Sequence, residues 1–91
     1  MDKKNSTPLL IHSFTMPCGV SKRNELLVKK ACEIRHEQLQ KQAAKQEQAC
    51  NFKHEVVIGM NDILVNVYNA SAQDVMMIGF HFNSLYTNSR S

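Results

Sequence analysis

Apolar residues along this chain recur in two rhythms, one helical and one alternating, and the change between them falls near Cys50. From Ser21 to Cys50 the run SKRNELLVKKACEIRHEQLQKQAAKQEQAC has no Gly or Pro and is rich in Ala, Leu, Glu, Gln, Lys and Arg. These residues keep side-chain freedom in a helix. At about 100° per residue, Leu27, Ala31 and Ile34 form one stripe, and Val28, Cys32, Leu39, Ala43 and Cys50 form a neighbouring one. The spacing predicts a single helix over 21–50 whose first half is core. Beyond Leu39 glutamines dominate, so that half is expected to project or to pack through small residues. Arg35 and Gln42 would occupy heptad seam positions, which argues against a self-sufficient coiled coil. Ser21 is the expected N-cap, with Asn24 as the competing choice.

After Cys50 the residues become β-branched and aromatic. FKHEVVIG and ILVNVYN read as two strands joined by a tight turn carrying Gly59, Asn61 and Asp62. Alternation places Val56 and Ile58 on one face with Ile63, Val65 and Val67. The last segment, ASAQDVMMIGFHFNSLY, fits two patterns. Ser71 and Asp74 make a capping-box-like S-x-x-D, which favours a helix, whereas Met76, Ile78, Phe80 and Phe82 alternate as a strand would. The alternation extends the apolar face of the hairpin, so a third strand is the expectation. At the other end, Pro8 and Pro17 bracket LLIHSFTM, which would add an edge strand or lie extended; Met1–Thr7 reads as a frayed polar start.

The resulting fold class is α+β: an extended arm over 1–20, then one small domain over 21–91 made of a long helix and a three-stranded antiparallel meander. Its expected core is Leu27, Ala31, Ile34, Val56, Ile58, Val65, Val67, Ile78 and Phe80. The opposite sheet face would carry Val57, Leu64, Tyr68, Val75 and Met77, too much apolar surface for a monomer to leave wet. Tyr68, Leu64 and Met77, together with Leu39 and Ala43 on the second half of the helix, are therefore the candidate partner-binding residues. The partner is either a second copy, as a dimer or larger homo-oligomer, or a different protein.

Composition narrows the class. At 91 residues, 43% of them hydrophobic and 21% charged, the chain is a single small folded domain. No run of about 18 apolar residues spans a bilayer, and the N-terminus does not read as a signal peptide. Three cysteines, Cys18, Cys32 and Cys50, are an odd number with two on the expected buried face, which fits reduced thiols and a cytoplasmic setting. The net charge of +3 is uneven: eight basic residues against four Glu lie between Lys22 and Lys53, and only acids from Glu55 to Ser89.

Chemistry adds little. Cys32-x3-His36 and Cys50-x3-His54 have zinc-like spacing, but along an unbroken helix His36 and Cys50 would lie about 21 Å apart. No nucleophile elbow surrounds any Ser, Cys or His, and no glycine-rich phosphate loop exists among Gly19, Gly59 and Gly79. The expectation is no enzyme, no metal and no cofactor. Lys22, Arg23, Lys30, Lys41 and Lys45 face away from the core stripe and would track a phosphate backbone. Glu33, Glu37 and Glu47 interrupt them, and the helix has no aromatic residue for base stacking. Lys22 and Arg23 also oppose the helix dipole, a conflict explained by solvated charge or by a bound anion. The Met76-Met77 pair and Met60 read as core filler as readily as an adaptable surface.

The run KKACEIRHEQ, the Gln-rich helix after it and the hairpin VVIGMNDILVNVYN resemble small accessory proteins of lambdoid phages and prophages, over roughly Ser21 to Phe82. That resemblance implies a non-enzymatic protein acting in the host cytoplasm, binding and modulating or inhibiting a host nuclease, defence or regulatory protein. A nucleic-acid-binding regulator using the basic helix face is the alternative.

Overall fold

The computed structural model describes residues 11–89, so the expectation for Met1–Thr7 lies outside the described residues. The elements run β1 (Ile11–Thr15), α1 (Lys22–Lys45), β2 (Lys53–Ile58), β3 (Ile63–Tyr68) and α2 (Ala72–Ser89). The fold is α+β with a three-stranded antiparallel sheet, as the residue patterns predict, but two elements differ from expectation.

Ser21 caps α1, its Oγ accepting the Asn24 N–H at 3.0 Å. The helix ends at Lys45 rather than at Cys50. Gln48 N–H donates to the Ala43 carbonyl at 2.8 Å and Glu47 N–H to the Ala44 carbonyl at 3.1 Å, with Glu47 left-handed at φ 55°. This is the paired closure of a Schellman C-cap, whose left-handed position usually holds Gly or Asn. A Glu there hides the stop. Because the chain reverses at this point, the separation computed along an unbroken helix does not hold, and His54 comes back to His36.

The hairpin forms as expected. Ile58 pairs with Ile63 and Lys53 with Tyr68, and the Gly59 N–H donates to the Asp62 carbonyl at 2.9 Å. A Cβ on Gly59 would lie 2.9 Å from Asp62 Oδ1 and 3.1 Å from the Asp62 carbonyl oxygen, so a side chain there requires Asp62 to shift. The third strand, however, is β1. It pairs antiparallel with β3 from Ile11–Tyr68 to Thr15–Leu64, giving the order β1-β3-β2. The expected meander is thus corrected: both edges of β3 are taken, and no edge of it remains for residues 75–82.

Those residues belong to α2. Its start is a reciprocal capping box, in which Ser71 N–H donates to Asp74 Oδ2 at 2.8 Å and Asp74 N–H to Ser71 Oγ at 3.4 Å. The helix turns Phe82 inward at 3% exposure and Phe80 outward at 65%. Two residues apart, they stand about 200° apart on a helix, where a strand would put them on one face.

One core joins the two helices to the inner sheet face: Val28, Ala31 and Cys32 from α1, Ile63, Val65 and Val67 from β3, Ile78 and Phe82 from α2, closed by Met16, Phe52 and Ala70. Of the expected core, Ala31, Val65, Val67 and Ile78 are fully buried, and Leu27 and Val56 pack at its border. Ile34 is half-buried, and Ile58 and Phe80 are exposed, because α1 leaves the β2 margin open and α2 turns Phe80 to solvent. Arg35, the residue that broke the heptad, is buried. Its Nε and Nη2 donate to Asp74 Oδ1 at 2.9 and 2.8 Å, tying the middle of α1 to the start of α2. Arg23 lies 5.1 Å over the Tyr86 ring near the other end of α2, so α1 and α2 run antiparallel. That contact gives the Arg23 cation a role despite its place in the first turn of α1. No helix among the described residues is long and apolar enough to cross a membrane.

Candidate functional site

Both helices share the core with the inner residues of β3, so no described element lies over the outer face of the sheet. The register builds that face as a three-by-three grid: Ile11, Tyr68 and Lys53 in one row, Ser13, Asn66 and Glu55 in the next, Thr15, Leu64 and Val57 in the third. The middle row is a hydrogen-bonded chain. Ser13 Oγ donates to Asn66 Oδ1 at 2.7 Å, and Asn66 Nδ2 and Tyr68 OH each donate to Glu55 Oε1 at 3.3 Å. Desolvation of the Tyr68 hydroxyl, then the charge and hydrogen bond of Glu55, raise its pKa above the usual 10.0. Ile11 and Val57 are exposed, and Leu64 and Tyr68 are half-buried. The face is therefore a hydrogen-bonded polar row flanked by the apolar groups of Ile11, Tyr68, Leu64 and Val57, with Thr15 and Lys53 at two corners. It offers shape and burial rather than reactive groups.

The candidate partner-binding residues fall on three surfaces. Leu64 and Tyr68 share the outer sheet face. Met77 is half-buried on α2, not on the sheet, and Val75 packs against the core. Leu39 and Ala43 line a cleft of about 220 Å³ with Cys50 and Phe52, where the chain doubles back after α1. Of the candidate phosphate-binding residues, Lys22, Lys30, Lys41 and Lys45 are exposed along α1. Arg23 is engaged with Tyr86, and Lys29 is paired to Glu25 at 3.0 Å.

A second feature lies where α1 packs on β2. The His36 ring meets those of Phe52 and His54 at centroid distances of 5.3 and 5.4 Å. Nδ1 of His54 is buried without a hydrogen-bond partner among the described residues. Burial, then the neighbouring His36, hold the His54 imidazole below its usual 6.5, with Glu33 offsetting part of the effect. Beside this cluster a depression of about 380 Å³ runs along the flank of α1, lined by Lys30, Glu33, Ile34, His36, Glu37 and Gln40. Among the described residues no three His, Cys, Asp or Glu side chains converge closely enough to hold a metal ion. Cys32 is sealed in the core, where burial, reinforced by Glu33, pushes its thiol up to about 12 and leaves it unreactive near neutrality. The residue pattern missed the meeting of His36 with His54 because the helix stop at Glu47 carries no glycine signal.

No protein family, curated protein or solved structure matches the chain.

Proposed function

We propose that this protein is a non-enzymatic interaction module that occupies a protein partner through the outer face of its sheet. The observation that carries the reading is the placement of both helices on the inner side, so that no described element covers Ile11, Val57, Leu64 and Tyr68. A sheet face with apolar residues flanking a hydrogen-bonded polar row suits docking by complementarity, with Tyr68 as an aromatic anchor. The resemblance to lambdoid phage accessory proteins points to a host nuclease, defence or regulatory protein as the partner. The acidic residues among the basic ones favour this reading over a nucleic-acid-binding regulator, since Glu33 and Glu37 on α1 and Glu47 just past its end dilute the phosphate-facing charge.

The test is capture from host lysate with nuclease added, using the full chain and two sets of variants, each first checked for native circular dichroism. A partner retained by the wild type and by Lys41→Glu/Lys45→Glu, but lost on Leu64→Glu and on Tyr68→Ala, supports the sheet face. Direct titration with DNA and RNA at two salt concentrations addresses the other class. Binding that weakens steeply with salt and disappears in Lys41→Glu/Lys45→Glu, with no nuclease-resistant partner, would overturn the proposal.

A further inference from the structure

Among the described residues no strand pairs with the outer edge of β2, and the charges on that strand, Lys53 and Glu55, both stand on the outer face of the sheet. Because Gly59 bonds to Asp62, the alternation of an antiparallel pair turns the backbone groups of Lys53, Glu55 and Val57 toward β3. Those of His54, Val56 and Ile58 point away from the sheet. Native edges are blunted by charged side chains, proline, bulges, inward-pointing charges or a covering element. Here the strand is regular, has no proline, and carries Val56 and Ile58 on its inner side, with Ile58 at 40% exposure. Such an edge accepts another strand, and the flank of α1 beside it says which strand.

Lys30, Ile34 and Glu37 line one side of the depression that His36 links to β2. Lys30 and Glu37 are two turns apart, about 10.5 Å along the axis, with Ile34 between them. Reversed on itself, this arrangement sets Lys30 against Glu37 at both ends, with Glu33 of each copy beside the Ile34 pair. We propose that two copies of the chain associate through the β2 edge, pairing β2 antiparallel with its symmetry mate and setting the two α1 flanks side by side. A two-fold axis through Val56 pairs His54 with Ile58 of the other copy and makes one six-stranded sheet. Since α1 packs on β2, the two α1 helices then lie antiparallel on the same face of that sheet. Lys30 of each copy meets Glu37 of the other, and the two Ile34 side chains meet between them. The half-exposed apolar residues Ile34, Val56 and Ile58 become buried by the same contact. The outer sheet face stays free on both copies, so this surface is distinct from the one proposed to receive a protein partner.

Sedimentation velocity on the full chain from about 1 to 100 μM, together with charge-swapped variants, tests the inference. The wild type is expected to shift from monomer to dimer over this range. Lys30→Glu and Glu37→Lys each place like charges across both symmetric contacts and should weaken the dimer about tenfold. Lys30→Glu/Glu37→Lys restores opposite charges and should return to within about twofold of wild type. Ile58→Lys, an inward charge at the edge, should leave only monomer at the highest concentration. Leu64→Glu, on the outer face, should dimerise as wild type does. A wild type that remains monomeric at 100 μM, or a dimer indifferent to Ile58→Lys, overturns the inference, as does a swapped double variant no better than either single one. Loss of the dimer on Leu64→Glu would also overturn it, by moving the contact to the other face.

Discussion

Replacing Arg35 by methionine strikes the one buried ion pair seen between α1 and α2 among the described residues. The Arg35 and Asp74 side chains are 10% and 9% exposed, so water reaches neither well. Asp74 Oδ1 accepts both guanidinium bonds, at 2.9 and 2.8 Å, and its Oδ2 accepts from the Ser71 N–H at 2.8 Å and the Ser71 hydroxyl at 3.3 Å. Arg35→Met keeps most of the apolar stem but strips Oδ1 of its donors and leaves a buried carboxylate uncompensated. Removing one partner of such a pair costs about 3–5 kcal/mol. A domain of 91 residues has roughly 5–13 kcal/mol in total, so the loss is a large share of it. At about 4–8 °C per kcal/mol for a domain of this size, Tm should fall by roughly 12–40 °C. Asp74→Asn should cost a similar amount by stranding the guanidinium. In Arg35→Met/Asp74→Asn no charge remains buried, and the total loss should be about 1–3 kcal/mol, well below the sum of the single ones. Urea unfolding followed at 222 nm measures all four proteins, with the slope expected to stay constant. If Arg35→Met lies within about 1 kcal/mol of wild type, or if the single losses simply add, the pair is not the strut described here.

Phe82→Ala should destabilise by about 3–5 kcal/mol, whereas Phe80→Ala should stay within about 0.5 kcal/mol; equal losses at both would show that residues 75–82 do not form the helix. Glu47→Gly relieves a left-handed non-glycine residue at the end of α1 and should raise stability by about 0.5–1 kcal/mol, read as a higher urea midpoint. The native His54 pKa lies below its usual 6.5, so in that window the unfolded chain binds more protons than the native one. Stability should be full above pH 6.5 and fall as the pH drops through 6.5 toward the lowered native value. His54→Gln should flatten that slope in a pH series of thermal melts, and an unchanged slope would assign it to other groups.

The candidate site was legible in pieces. Alternation along ILVNVYN places Leu64 and Tyr68 opposite the core, and the register sets them on an open face. Val57 joins them from β2, as its parity requires. Met77 does not, because parity along residues 75–82 carries no meaning once they are helical. The polar row of Ser13, Asn66 and Glu55 was out of reach, since it draws one residue from each strand and needs the β1-β3 register. The His36–His54 contact was hidden for the same kind of reason.

What the sequence determined by itself is local. Ser21 starts a helix because its hydroxyl reaches an amide three residues on. Gly59 to Asp62 closes a hairpin because the Gly59 N–H reaches the Asp62 carbonyl three residues on, and Ser71 with Asp74 caps a second helix through contacts spanning three residues. Each depends on neighbours along the chain, so each leaves a readable signature. The tertiary structure decided what depends on distant competition. Residues 75–82 satisfy both rhythms, and they are helical because the helical phase buries Ile78 and Phe82 against α1 and β3 and brings Asp74 to Arg35. Arg35 reads as a flaw in an apolar stripe until Asp74, 39 residues away, arrives beside it. Which face of the sheet the two helices cover is set by a shared core rather than by any one segment.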